Sequence, residues 1–365
     1  MNNYLQAIIL YAIKKFQGER SIYAIYHMLQ GKKSSQTIQD AHLFGLTDIF
    51  GTIPRFTRQQ LNQNIEHSLK HDLINLTDKP DAYEISLQGE RMLDDYFKNN
   101  PFPEYLNGWK YHNITPVFWG RLNLLIQTIS HIVHNERRFY PIQRNPKIPF
   151  FVKEFLHANR QDRALIAQHL YDELVSLLEN QSDMKRDIFI LKLTGINRIG
   201  LTFEQIAKRK NVEEEYVRYT FLDSLHQMLA EMETGGDYPL LSSLTNDWKR
   251  SGNPHLTQST KTTLRYILEG KNLGEIAEIR RLKVNTIEDH LVEIVLSEKD
   301  FPISDYVTIE DERDIAEAIK ELGTKKLKAI KQMVDNKQIS FFASTSLIWK
   351  KLICLLSSRW SIINK

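Results

Sequence analysis

A single cysteine, Cys354, occurs in 365 residues. An internal disulfide is excluded, and the expected compartment is a reducing cytoplasm. Glycine and proline are scarce, at 15 and 11, so little in the chain breaks helices. No stretch of about 18 apolar residues is free of charge, so no membrane partner is expected. The opening MNNYLQAIILYAIKKF has neither the basic start nor the small-residue cleavage site of a secretory signal. An excess of one charge is also missing. Lys+Arg number 48 against 45 Asp+Glu, a net +3, so any nucleic-acid surface must be local. What is present, 42% hydrophobic and 10% aromatic residues, suits a globular chain of two or three domains and excludes a disordered one.

Apolar residues recur every three or four positions along most of the chain, which predicts a mainly α fold. Three segments interrupt it: 98–117 with prolines and aromatics, 137–150 with three prolines, and 234–255, from Gly235-Gly236 to Asn253-Pro254. One β signal stands near the start. Residues 72–76 (DLINL) and 83–87 (YEISL) flank a turn containing Pro80-Asp81, and a new helix opens at Gly89. Helix, hairpin, helix is the order of a winged helix-turn-helix, although a small α+β domain with an incidental hairpin has the same pattern. The expected domains are a winged unit over 1–98, a linker and connecting helix over 99–149, a helical bundle over 150–234, and a further helix-turn-helix domain over 255–360.

Two segments align without a gap 70 positions apart: Gly200 to Leu222 and Gly270 to Val292. Phe203 matches Leu273, Ile206-Ala207 match Ile276-Ala277, and Val212, Val217 and Phe221 match Leu282, Ile287 and Leu291. A short helix ending in an apolar residue and alanine lets a second helix approach closely. The turn supplies one apolar plug, and the second helix adds apolar residues four apart. Both copies are helix-turn-helix units.

The first copy lies within Glu173 to Leu229, which resembles the fourth region of sigma factors. The second copy and its tail, from Leu256 to about Leu356, resemble the helix-turn-helix domain at the C-terminus of bacterial RecQ-type helicases. The matching tail includes FPISDYV (Phe301 to Val307), ERDIAEAIKELG, KKLKAIK and QISFF (Gln338 to Phe342). As a whole the chain resembles the YpbB-like proteins of Firmicutes. That resemblance implies DNA and a RecQ-type helicase as partners, in DNA repair or recombination.

Holding DNA takes cations against phosphates and side chains that reach base edges. The second helices of both repeats are acidic, with Glu213, Glu214 and Glu215 in one and Glu288, Asp289 and Glu293 in the other. Carboxylates in a first turn also complement the helix dipole, but phosphate would be repelled, and protein contact suits both helices. The helix before the hairpin differs. Thr57 can cap it, and Leu61, Ile65 and Leu69 form its buried stripe. Its other faces carry Arg58, Gln59, Asn62, Gln63 and Lys70, with Arg55 just ahead. Arg, Gln and Asn can bind base edges bidentately. The loop from Gly31, with Lys32, Lys33 and Gln36, suits phosphate. So does the strip Lys325, Lys326, Lys328 and Lys331, capped by Thr324. Each also reads as an ordinary solvated face.

Catalytic patterns are missing. Neither Gly31-Lys32-Lys33-Ser34 nor Gly270-Lys271-Asn272 has the upstream glycine of a P-loop. Asp311 to Asp314 follows Thr308 as a helix start. His67 with His71, and His131 with His134, could each face one metal but have no further ligand placed to complete a zinc site. Cys354 sits in apolar LICLL, and Trp119, Leu122, Leu125, Ile126 and Ile129 form a helical stripe, as core residues do. The expectation is a non-enzymatic DNA-binding accessory of a RecQ-type helicase, with no cofactor. A transcription regulator and a protein adaptor without DNA binding remain the alternatives.

Overall fold

The apolar spacing of YLQAIILYAIKKF closes into helix α1 (Tyr4–Phe16). The Asn3 side chain caps it by accepting the Gln6 N–H at 2.8 Å. It ends at Gln17, whose φ of 49° lies in the left-handed region. A computed structural model describes residues 3–136, 138–159, 162–247, 256–298 and 309–322, together with 301, 302, 306, 332 and 333. Among these are 17 helices and one two-stranded sheet, a mainly α fold.

The N-terminal unit continues with α2 (Ile22–Leu29), α3 (Ser35–Leu43) and α4 (Arg58–Lys70). Strands β1 (Ile74–Leu76) and β2 (Tyr83–Ile85) then pair antiparallel, with Ile74 opposite Ile85 and Leu76 opposite Tyr83. Ser21 bridges Ala82 beside this hairpin, and α5 (Leu87–Asn99) closes the unit. Helix α2, helix α4 and the hairpin follow the winged helix-turn-helix order, with α3 inserted between the two helices.

Helices α6 (Gly108–Tyr111), α7 (Thr115–Val133), α8 (Lys147–Ala158), α9 (Arg163–Glu179), α10 (Asp183–Lys192), α11 (Phe203–Lys210), α12 (Glu214–Glu233) and α13 (Pro239–Ser243) follow. A core running from Tyr111 to Leu244 unites α7 to α13. Leu122, Leu125 and Ile129 of α7 are buried in it, so α7 is both the connecting helix and a wall of the bundle. The segment 248–255 lies outside the described residues.

The last described helices are α14 (Gln258–Leu268), α15 (Leu273–Arg280), α16 (Val284–Ser297) and α17 (Ile309–Leu322). The repeat survives in three dimensions as α11–α12 and α15–α16. Each first helix opens with a capping box, Thr202 with Gln205 and Asn272 with Glu275. Each ends on a left-handed residue, Asn211 or Arg281. The Val212 N–H then bonds the Ala207 carbonyl at 3.0 Å, and Leu282 does the same to Ala277 at 3.0 Å. Ile206, Ala207, Ile276 and Ala277 are buried beneath these turns.

The two copies face different surroundings. Leu291, Val292 and Ile294 of α16, with Ile315 and Ala318 of α17, share one core with the N-terminal winged unit. Helix α12 runs between both cores, placing Tyr219 in the first and Val217, Phe221 and Leu225 in the second. Burial of this apolar surface, at about 25 cal/mol per Å2, ties the N-terminal unit to α16 and α17.

Candidate nucleic-acid interface

Helix α4 begins with a complete capping box. The Gln60 N–H reaches Thr57 Oγ1 at 3.2 Å, and the Thr57 N–H reaches Gln60 Oε1 at 2.9 Å. Leu61 and Ile65 are buried, and Leu69 packs at the edge of the same core. That stripe turns Arg58, Gln59, Asn62 and Gln63 outward, and all four are exposed, as is Arg55 in the preceding loop. The Arg58 guanidinium lies 5.3 Å from the Tyr23 ring centre and 5.7 Å from that of Tyr26. Two aromatic faces of α2 thus hold a cation at the start of α4. The Gln30 side chain fixes the approach to α4, donating to the Phe56 carbonyl at 2.8 Å and to the Tyr26 hydroxyl at 3.0 Å. Tyr23 and Tyr26 were not among the expected site residues. Their three-residue spacing on a helix was the legible signal.

The hairpin contributes little to this surface. Its turn exposes Asp78 and Asp81, and the Lys79 ammonium donates to the Gly18 carbonyl at 3.2 Å. His67 and His71 stack, their ring centres 4.0 Å apart, and His67 Nδ1 is 2.8 Å from Gln6 Nε2. Burial, with His71 adding to it, lowers the pKa of His67. His131 and His134 each place Nδ1 2.8 Å from a backbone carbonyl one turn back. Among the described residues, no three potential metal ligands come together.

The loop from Gly31 departs from the expected phosphate site. Lys32 is exposed. Lys33 is half-buried, 6.0 Å from the Trp109 ring centre. Burial lowers its pKa, Glu293 opposes that shift and Lys261 reinforces it. Gln36 donates to both carboxylate oxygens of Asp40 at 3.1 Å. The Ser35 hydroxyl donates to Asp289 of α16 at 2.7 Å. Lys33 therefore faces protein, because the C-terminal unit packs over α3, whereas Gln36 stays exposed with its amide tied to Asp40 of its own helix. Lys325, Lys326, Lys328 and Lys331 lie outside the described residues, as does Cys354.

The acidic second helices of the repeat also face protein. At the start of α12, the Glu213 carboxylate accepts the Tyr4 N–H at 2.6 Å and the Tyr96 hydroxyl at 2.5 Å. Farther along, Asp223 accepts the Tyr105 N–H at 2.6 Å, and His226 Nδ1 accepts that of Asn107 at 3.0 Å. In α16, Glu288, His290 and Glu293 are all buried. Glu293 accepts the Thr260 hydroxyl at 2.5 Å and so fastens the start of α14. Glu213, Asp223 and Glu293 serve the fold by receiving donors that would otherwise be buried without acceptors. Of the three second helices, α4 alone keeps its polar face open to solvent.

The three units are helix-turn-helix structures, and residues 259–343 match a known family described as a helix-turn-helix domain. The class is thus a multi-unit helix-turn-helix protein, a fold widely used to bind DNA. Protein YpbB of Bacillus subtilis (strain 168) is 34% identical over 340 residues, which cover 93% of this chain and 95% of that protein. The chain belongs to the YpbB family. No solved structure matches it. No helix among the described residues is long and apolar enough to cross a membrane.

Proposed function

We propose that this is a non-enzymatic, cytoplasmic DNA-binding protein that serves a RecQ-type DNA helicase in repair or recombination. The observation that carries the DNA-binding part is the solvent-facing row Arg55, Arg58, Gln59, Asn62 and Gln63, with Arg58 braced on Tyr23 and Tyr26. Arginine and asparagine in a groove contribute about 1–3 kcal/mol each where they meet a matching base edge. Lys32 and Lys70 flank the row as further exposed cations. The helicase part is supported by the likeness of the segment from Leu256 onward to the domain those helicases carry at their C-termini.

The test is binding of the full chain to labelled duplex, forked and single-stranded DNA across a salt series. Three phosphate contacts from Lys32, Arg55 and Lys70 give a log–log salt slope of roughly −3. Arg58→Ala with Asn62→Ala weakens duplex binding by about tenfold or more. No binding at low salt sinks the DNA-binding reading and selects the protein adaptor, which the protein-facing α12 and α16 favour. The helicase reading fails if a RecQ-type helicase neither co-purifies with the protein nor changes its unwinding rate on a fork.

A further inference from the structure

The connection between α7 and α8 was expected only as a proline-rich interruption. Residues 138–153 (RFYPIQRNPKIPFFVK) contain four cations and no carboxylate. The segment is held in place from α7. The Gln127 amide donates to the Tyr140 carbonyl at 3.1 Å and accepts the Ile142 N–H at 3.2 Å. Phe139 turns inward onto His131, the ring centres 4.6 Å apart. Its neighbour Tyr140 is left 96% exposed. In α8 the buried stripe is Ile148, Val152 and Phe155, and Phe150 falls off that stripe, 66% exposed.

Along the same segment, Arg138, Arg144, Lys147 and Lys153 are all exposed, Lys147 shares a cleft with Phe150, and none of the four forms an ion pair among the described residues. Several surface cations elsewhere are matched, Lys14 by Glu90, Lys110 by Glu233, Lys208 by Glu204 and Arg218 by Glu214, so this run of four without a partner carboxylate stands with the open cations around α4. The bordering carboxylates are Glu136 and Glu154, with Asp247 engaged by Arg121 through two bonds of 2.7 Å. Beside Phe150 opens a cleft of about 590 Å3, lined by Arg121, Lys147, Phe150 and Phe151 together with Pro146 and the carboxylates Glu154 and Asp247. The Arg121 guanidinium sits 3.7 Å from the Phe151 ring centre, which keeps that wall rigid.

Solvated aromatic rings interleaved with unmatched cations, on a backbone pinned from below, are what unstacked bases and their phosphates require. A duplex keeps its base faces covered, so surface rings cannot reach them. We propose that this surface binds single-stranded nucleic acid, with bases stacked on Tyr140 and Phe150 and phosphates held by Arg138, Arg144, Lys147 and Lys153. The site shares no residue with α4 and does not depend on the reading of α4 as a duplex-binding helix.

The experiment uses the full chain and a labelled oligothymidylate, with a labelled duplex alongside. Tyr140→Ala with Phe150→Ala weakens oligothymidylate binding by about tenfold or more per ring and leaves duplex binding and the melting temperature unchanged. Tyr140→Phe with Phe150→Trp retains the affinity. Replacing the four cations with glutamine flattens the salt slope by about 0.7 per residue. The proposal is overturned if wild type does not bind oligothymidylate at low salt. It is equally overturned if the alanine pair binds like wild type, including the case where only the cation changes matter, since that is plain anion attraction. The Arg58→Ala, Asn62→Ala variant reports on the duplex site separately.

Discussion

Acidification provides a sharp test of how α12 is docked. His226 is buried on α12, with Nδ1 accepting the Asn107 N–H at 3.0 Å. Its Nε2 has no partner among the described residues. Protonation would set a new N–H against that of Asn107 and strand a cation in the core. Burial pushes its pKa down from 6.5 to about 3, with His112 adding to the shift. In the unfolded chain His226 takes up its proton as the pH falls through about 6.5, whereas the folded chain refuses it until about 3. Stability is therefore fully present above pH 6.5 and is lost as the pH falls toward 3. At pH 5 the loss is about 2 kcal/mol from this residue. Denaturant unfolding of wild type and His226→Gln, each at pH 7 and pH 5, isolates it. The variant should lose about 2 kcal/mol less than wild type over that interval. Other histidines contribute to both proteins; burial of His42 pushes its pKa down to about 4. Equal losses in the two proteins would refute the buried, neutral His226.

Two further perturbations probe the same junction. Lys185 and Asp223 form an ion pair at 2.6 Å with side chains 13% and 3% exposed, and Lys185 also donates to Gln227 at 3.0 Å. Asp223→Ala should cost about 3–5 kcal/mol in urea unfolding, and adding Lys185→Met should restore much of it; an additive double mutant would contradict the pairing. Gly108 starts α6 pressed against the preceding loop, and a Cβ there would sit 2.0 Å from the Phe50 carbonyl oxygen. Gly108→Ala should lower stability by about 1–3 kcal/mol; an unchanged urea midpoint would count against this contact.

Much of the local structure was legible in the sequence because it depends on residues close in the chain. Apolar periodicity marked α1, α4 and α7, and the Pro80-Asp81 turn marked the hairpin. The spacing from Ile206-Ala207 through Val212 to Val217 marked one helix-turn-helix, and its second copy confirmed the pattern. The polar row of α4 followed from the same arithmetic, since Leu61 and Ile65 fix which face is left over.

Which surfaces stay open was decided only by the tertiary structure. Ser35 meets Asp289 across 254 residues, and Tyr4 meets Glu213 across 209. No periodicity reports such pairs. Lys33 looked like a phosphate ligand in its own loop and became half-buried when α16 arrived over it. The carboxylates of α12 and α16 were visible as unsuited to DNA, yet their acceptor roles depended on N–H and O–H groups delivered by distant segments. Local sequence sets helices and their faces through short-range sterics and hydrophobic spacing. Burial is a property of the assembled core, so which of three similar helix-turn-helix units keeps a free face emerges only when the N-terminal unit and the α14–α17 unit share that core.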